Sequence, residues 1–344
     1  MISITERAKL AANMIRISNQ DLETAENLLL NGDVVAIPTE TVYGLAASIS
    51  QENAIRKVFQ LKKRPFFDPL IVHVANLKQA KELTSSWSPL TDFIARSFWP
   101  GALTLVLPKA ASVSSLITSG LETVAVRYPD HDMALQIIKK VGPLAAPSAN
   151  KFGKTSPTQA HHVREEFKTE KIFVLDGGAC DIGIESTVIE INANDSVISI
   201  LRPGGVSHFD LVETLKKWSQ PVEVKRSASQ KSPGHLEHHY MPDLPFFLIF
   251  EGENIHDQLQ IFAAKAGPQM SRGFELKLSN EPAQAARELY SQLRVAKVGE
   301  FDFIYYTVSA EQFRNSDWDA ILDRISRASL RMSDQIMRRL KRVD

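Results

Sequence analysis

The sequence predicts an α/β protein of two units: a larger one with a twisted mixed sheet flanked by helices, then a smaller one of the doubly wound type. Three observations carry this. The chain has 344 residues, enough for two separate cores. Up to residue 202 short β-rich runs dominate: PLIVHV, ALTLVLP, TVAVRYP, LAAPSA, KIFVLD, STVIEI and SVISIL. So many strands with fewer helices suit a mixed sheet better than a strict βαβ array. Beyond residue 245 the pattern turns to regular alternation of strand and helix.

The elements follow in order. Ser18 is placed as the N-cap of a helix over Asn19–Leu30, with Leu22, Ala25, Leu28 and Leu29 as its apolar face and Gly32 just past its end. Val34, Val35, Ala36 and Ile37 form a buried strand that Pro38 ends, because proline has no N–H for the ladder. Residues 51–61 read as a helix with Ile55, Val58 and Phe59 inward. Further helices fall near 90–98, 131–141 and 157–167, the last starting at Ser156 with Pro157 at its first position. A helix over 207–218 closes the first unit. Residues 219–244 carry Pro221, Ser227, Ser229, Ser232, Pro233, Gly234 and Pro242 without periodicity and read as a linker. The second unit then runs strand FFLIF, helix 254–265, strand FELKL, helix 282–296, strand FDFIYYTV, helix 317–328.

Composition excludes several classes. Forty basic residues balance forty acidic ones, so net charge gives no reason for tight non-specific nucleic-acid binding. Cys180 is the only cysteine, which excludes an intrachain disulfide and a Cys-rich zinc site and fits a reducing compartment. The N-terminal stretch lacks the long apolar core of a signal peptide, and no apolar run reaches membrane-spanning length. A cytoplasmic location is the expectation.

The chemistry gathers at strand ends. In VVAIPTETVYGLAA (34–47) a buried strand delivers Thr39, Glu40, Thr41 and Tyr43 onto a loop, a common way to build a small-molecule site. The chain has no GxxxxGKS/T phosphate loop and no GxGxxG after a strand; GGACDIG (177–183) reads as a turn between strands. Phosphate would be held by side chains and turn amides. Lys62, Lys63, Arg64, Arg127 and Arg202 are the basic candidates. Arg127 and Arg202 each end a buried strand, where a planar fork suits carboxylate or phosphate, or else a capping salt bridge at the sheet rim. Ser148 and Ser156 stand in turns that could also offer backbone N–H groups. His73, in LIVHV, reads on its own as a core histidine. Glu40 and Glu185 are open as supporting or metal-binding carboxylates. The His235, Glu237 and His238 group is more simply a solvated linker segment than a metal site.

Six motifs together resemble one family, the threonylcarbamoyl-adenylate synthases with their YrdC-like domain. They are the 34–47 segment, KKRPFFDPLIVHV (62–74), TVAVRYP (123–129), LAAPSANKFGKTSPT (144–158), GIESTVIEI (183–191) and LRPGG (201–205). Their order and spacing are the family's, over roughly 18–212. SPGHLEHHYMP (232–242) is similar to the linker of the long form. The resemblance implies a YrdC-like catalytic domain over 1–218, a linker over 219–244 that covers the active site, and a Rossmann-like α/β domain over 245–344. It implies that L-threonine, bicarbonate and ATP, the last with Mg²⁺, give threonylcarbamoyl-AMP and pyrophosphate. The product would pass to partner proteins that transfer threonylcarbamoyl to tRNA, with at most a weak tRNA contact by this chain. Threonine would be held by Thr41, His73, Arg127, Ala146 and Ser186. ATP would be held by Arg64, Asp68, Thr123, Ser148, Ser156, Arg202 and Tyr240, with Lys62 and Asn150 from the same motifs beside them. No covalent catalytic residue is implied, and the metal ligands stay open.

Two departures stand out. The family often has Asn where this chain has Asp68, and a carboxylate there repels triphosphate unless Mg²⁺ or an Arg intervenes. Asp68 can instead pair with Arg64, four residues earlier. The segment before His239–Tyr240 also lacks the family's usual basic or aromatic residue. Two other readings remain: a non-catalytic RNA-binding protein with a basic concave face, and a carbamoyl-transfer enzyme built on the same domain type.

Overall fold

The computed structural model describes residues 19–192, 194–227, 239–257, 260, 271–296 and 299–332. The first unit is built on a ten-stranded mixed sheet. Its elements are α1 (Asn19–Leu30), β1 (Val35–Ile37), β2 (Gly44–Ser48), α2 (Glu52–Lys62), β3 (Ile71–His73), α3 (Leu77–Glu82), α4 (Pro89–Phe98), β4 (Leu103–Pro108), α5 (Ser115–Thr118) and β5 (Thr123–Arg127). There follow α6 (Asp132–Val141), β6 (Leu144–Ala145), α7 (Ala160–Glu166), β7 (Phe173–Val174), β8 (Thr187–Ile191), β9 (Val197–Arg202), α8 (His208–Leu215) and β10 (Glu223–Arg226). The strand order is β10-β9-β8-β4-β5-β3-β6-β2-β1-β7. Parallel pairs (β3 with β5, β4 with β8) alternate with antiparallel ones (β4 with β5, β8 with β9), as the run of closely spaced strands predicts.

Both faces of this sheet are covered. Val35 and Ile37 point into a cluster with Ala25 and Leu29 of α1 and Ile137 and Ile138 of α6. Val34 and Ala36 point the other way, onto Val58 of α2 and Val163 of α7. The period of two is thus apolar on both sides, and each fully buried Val or Ile contributes about 1.5–3 kcal/mol. A third cluster packs Ile55 and Phe59 of α2, Ile94 of α4 and Leu211 of α8 on the central strands. Gly32 lies at φ +79°, and the Asp33 N–H returns to the Leu28 carbonyl at 2.8 Å, which ends α1 where its glycine predicts.

Two expectations change. Ser156 and Pro157 do not start a helix; α7 begins at Ala160, because 155–158 is held out of helix by other segments, with the Pro157 carbonyl accepting the Tyr43 N–H and the Thr158 carbonyl the Cys180 N–H. The stretch after Ser219 is not featureless, since β10 pairs with β9 and extends the first sheet past residue 218. The 235–238 group, read as a solvated linker segment, and residues 228–238 of the expected cover over 219–244 lie outside the described residues, as do Ser18 and most of the 254–265 helix.

Among the described residues the second unit has four parallel strands, β11 (Phe246–Phe250), β12 (Gly273–Glu275), β13 (Phe303–Val308) and β14 (Arg331–Met332), in the order β12-β13-β11-β14. Helices α9 (Pro282–Val295) and α10 (Asp319–Ala328) pack on them through Leu289, Leu293, Ile321 and Ile325. The same apolar cluster takes in Val42, Ile184 and Tyr240, so the two units share a core. Among the described residues no helix is long and apolar enough to cross a membrane.

Candidate functional site

The strand ends converge on a cavity of about 580 Å³ including its open mouth and the solvent there. It is lined by Thr41, His73, Arg127, Ala146 and Ser186 from the set expected at the threonine end. Arg64, Ser148, Arg202 and Tyr240 of the set expected around ATP line it as well.

At one end the loop after β1 is folded on itself by Thr39. Its Oγ1 donates to the Val42 carbonyl at 2.7 Å and lies 2.9 Å from Thr41 Oγ1. Thr41 in turn receives Arg127 Nη1 at 2.8 Å, and Arg127 Nε donates to the Gly101 carbonyl at 3.2 Å. Glu40 Oε1 sits 2.7 Å from Arg127 Nη2, a close ion pair whose angle is not that of a hydrogen bond. Arg127 is thus held at the end of β5 by groups from two loops. β3 and β5 run parallel in register, so His73 lies beside it. Burial and the Arg127 charge push the His73 pKa down to about 3, and its Nδ1 has no partner. Tyr43 faces away, donating to the Gly178 carbonyl at 2.7 Å. That bond anchors the 177–183 loop.

The other end is built by the close of α2. Lys63 takes a left-handed φ of 53°, and the Arg64 N–H caps the Phe59 carbonyl at 2.9 Å. This turn separates the tasks of its neighbours. Lys62 is buried, its Nζ donating to the carbonyls of Ser148 (2.5 Å) and Asn150 (2.6 Å), and burial and the nearby Arg64 pull its pKa down. Asn150 binds the carbonyls of Lys151 and Lys154 at 2.8 and 2.7 Å, closing the same turn. Lys62 and Asn150 therefore support the Ser148 turn from behind and do not line the cavity. Arg64 binds the Asp68 and Pro69 carbonyls and pairs with the Asp68 carboxylate at 2.9 Å, the alternative the sequence leaves open for Asp68. Thr123 lies at the far end of β5 from Arg127, on the side where the 64–70 loop enters β3, and is not in the lining.

The third wall is the segment before β8. Ser186 Oγ is 2.7 Å from Thr104 Oγ1, and Arg202 donates to the Ser186 carbonyl at 2.9 Å and to its Oγ at 3.3 Å. Glu185 accepts Ser156 Oγ at 2.6 Å, Tyr290 OH at 2.9 Å and Arg324 Nε at 2.7 Å. Burial would raise its pKa, but Arg324 and Arg202 overcome this and hold it down at about 2. Tyr240 is buried, with φ +67°; its carbonyl accepts Thr155 Oγ1 and the next N–H, of Met241, reaches the Gly153 carbonyl at 2.7 Å. Ser156 is not in the lining and, among the described residues, meets the site through its hydrogen bond to Glu185.

Thr104, Tyr290, Arg324 and His239 escape the sequence reading. For Arg324 a signal exists: it lies on the apolar stripe of α10, three residues after Ile321 and four before Ala328. Lys62 likewise follows Ile55, Val58 and Phe59 on the buried face of α2.

The histidines set an acid limit to the fold. His73 and His239 are buried and each has its pKa pushed down to about 3, against an ordinary 6.5. The unfolded chain therefore binds more protons, and their contribution to stability, full above pH 6.5, is lost as pH falls toward 3. Denaturant midpoints measured from pH 7 to pH 4 are expected to fall, less steeply in His73→Gln; an equal slope would assign the loss to carboxylates.

The sheet and the cavity, with arginines from three different elements in its lining, define a two-unit α/β protein with a polar strand-end site. A family model described as telomere recombination (Sua5, YciO and YrdC) matches residues 27–204. One described as threonylcarbamoyl-AMP synthase, C-terminal domain, matches 206–329. Threonylcarbamoyl-AMP synthase of Pyrococcus abyssi is 41% identical over 237 residues, covering 68% of this chain and 69% of that one. The Bacillus subtilis protein of that name is 41% identical over 242 residues (68% and 68%), and the Schizosaccharomyces pombe one 31% over 364 (90% and 88%). A solved structure of P. abyssi Sua5 complexed with L-threonine superposes with a TM-score of 0.78 at 34% identity, covering 91% of this chain and 95% of that one. The chain belongs to the threonylcarbamoyl-AMP synthase family, in its two-domain form.

Proposed function

We infer that the chain is a threonylcarbamoyl-AMP synthase, an enzyme that transfers the AMP moiety of ATP to threonylcarbamate. The observation that carries this is one cavity with Arg127 at one end and Arg64 and Arg202 at the other. The reading assigns the threonine carboxylate to Arg127 and Thr41, with Ser186, His73 and Ala146 around the rest of the amino acid. Arg64, Arg202, Ser148 and Tyr240 are assigned to ATP, with Lys62, Asn150, Ser156, Asp68 and Thr123 in support.

The chemistry then needs position and charge rather than a nucleophile. The threonine amine attacks the carbon of bicarbonate and water leaves, giving a carbamate. A carbamate oxygen attacks the α-phosphorus, and the bond to the β-phosphate oxygen breaks, releasing pyrophosphate. A neutral His73 carries no charge to compete with Arg127 for the carboxylate. The carboxylates at the cavity each have a cationic partner: Glu40 with Arg127, Asp68 with Arg64 and Glu185 with Arg324. This donor set fits Mg²⁺ that arrives on the phosphates with its own waters. Mg²⁺ would neutralise phosphate charge as pyrophosphate departs. The product, a mixed anhydride, suits consumption by proteins that transfer the threonylcarbamoyl group to tRNA in the cytoplasm.

Pyrophosphate release from MgATP is the test. Release is expected to need both threonine and bicarbonate. Serine lacks one methyl and is expected to be poorer by about 1–3 kcal/mol in kcat/KM. Equal release with serine, or release without bicarbonate, would overturn the assignment.

A further inference from the structure

Glu185 lines the cavity together with Arg64 and Arg202, at the end assigned to the phosphates. A carboxylate there repels triphosphate unless its charge is balanced. The balance comes from the second unit. Arg324 on α10 is 0% exposed and donates from Nε to Glu185 Oε2 at 2.7 Å, while Tyr290 on α9 donates to the same oxygen at 2.9 Å. On the opposite side the carboxylate accepts Ser156 Oγ. Arg324 is itself fixed from three directions. Its Nη1 donates to Asp323 at 2.6 Å, its Nη2 to the Pro203 carbonyl at 2.9 Å, and the Tyr240 ring faces its guanidinium at 5.0 Å. It reaches neither solvent nor the cavity lining, so its contact with the site runs through Glu185 and Tyr240.

We propose that Arg324 is a positioning residue for ATP: from behind the wall it cancels and orients the Glu185 carboxylate, so that the second unit sets the charge the phosphates meet. The proposal rests on the assignment of this end of the cavity to ATP. The other charged groups around Glu185 act in the same sense or stay neutral. Arg202 on β9 is a cation that favours its ionised form, while burial and Arg64 draw the pKa of Lys62 on α2 down. Burial keeps His239, Tyr240 and Tyr290 uncharged at neutral pH. Asp323 is occupied by Arg324 and Arg327.

The test is ATP affinity against pH, by calorimetry and as KM. In Arg324→Gln the buried Glu185 loses its nearest cation, so its pKa moves up. Below that pKa it is protonated and harmless; above it an unbalanced carboxylate faces the phosphates. ATP binding by Arg324→Gln is therefore expected to weaken as pH rises from 5 to 9, by up to about tenfold for each pH step of one across the carboxyl's titration. Threonine binding should keep the native profile. Glu185→Gln/Arg324→Gln removes both charges and is expected to restore a flat ATP profile. Should Arg324→Gln fail to fold, judged by circular dichroism, Tyr290→Phe carries the test, with a smaller loss of the same sign. Parallel, pH-independent losses for ATP and threonine would overturn the proposal and leave Arg324 a tie between the units. Failure of the native chain to release pyrophosphate would instead overturn the synthase reading, while the calorimetric pH profile would still judge Arg324.

Discussion

Arg127→Lys is expected to raise the threonine concentration for half-maximal rate by roughly 10- to 100-fold, at little cost to ATP. A hydrogen bond to a charged group contributes about 1.5–3 kcal/mol, and lysine loses the planar fork that grips two oxygens at once. Lysine keeps a cation beside Glu40, which matters because removing one partner of a buried pair costs about 3–5 kcal/mol. Arg127→Ala would therefore confuse loss of substrate with loss of fold. Steady-state kinetics with each substrate varied in turn decide the matter. Equal losses for threonine and ATP would make Arg127 a strut between the Glu40 loop and β5.

Gly204→Ala is expected to disable both ends of the site together. A Cβ at that position would lie 2.3 Å from the Ser186 carbonyl carbon and 2.4 Å from the Glu185 oxygen and the Thr187 nitrogen. All three are backbone atoms and cannot swing aside. The displaced strand carries Ser186, which Arg202 grips, and Glu185, which receives the second unit. Overpacking of this kind costs about 3 kcal/mol, or roughly 6–12 °C in melting temperature for a unit of this size. Calorimetric melting and the two KM values should move together. An unchanged melting point would mean that the strand yields more easily than its contacts imply.

The parts of the molecule that could be read from the sequence are those whose pattern is local. The buried strand before Pro38, the helices at 19–30 and 282–295, and the alternation after residue 245 all follow from periodicity and end signals. So do the strand-end positions of Arg127 and Arg202. Ser156–Pro157 misleads because a helix-start signal was overruled by Tyr43, Cys180 and Glu185, each pinning the segment out of helix from elsewhere in the chain. β10 was hidden by the prolines and serines around it, although Val222 and Val224 pack on the first core. Arg324 and Tyr290 meet Glu185 across more than a hundred residues, and no window of sequence can show such a pairing. What the sequence does show is a charge set in an apolar stripe, which calls for a buried partner without saying where it is.

The outer strands of both sheets bear on how copies of the chain behave when crowded. An open edge presents unpaired N–H and C=O groups that can template another chain. Here the first sheet ends in β7, only two residues long, and in β10, where Glu223, Lys225 and Arg226 are exposed charges. Arg226 also pairs with Asp319 of the second unit, which draws that edge toward its own α10. Among the described residues the second sheet ends in strands of three and two residues, β12 and β14. Two copies meeting edge to edge would find little length to zip, and along β10 they would have to strip water from exposed charges. Edges this short and this charged offer another chain little to template against.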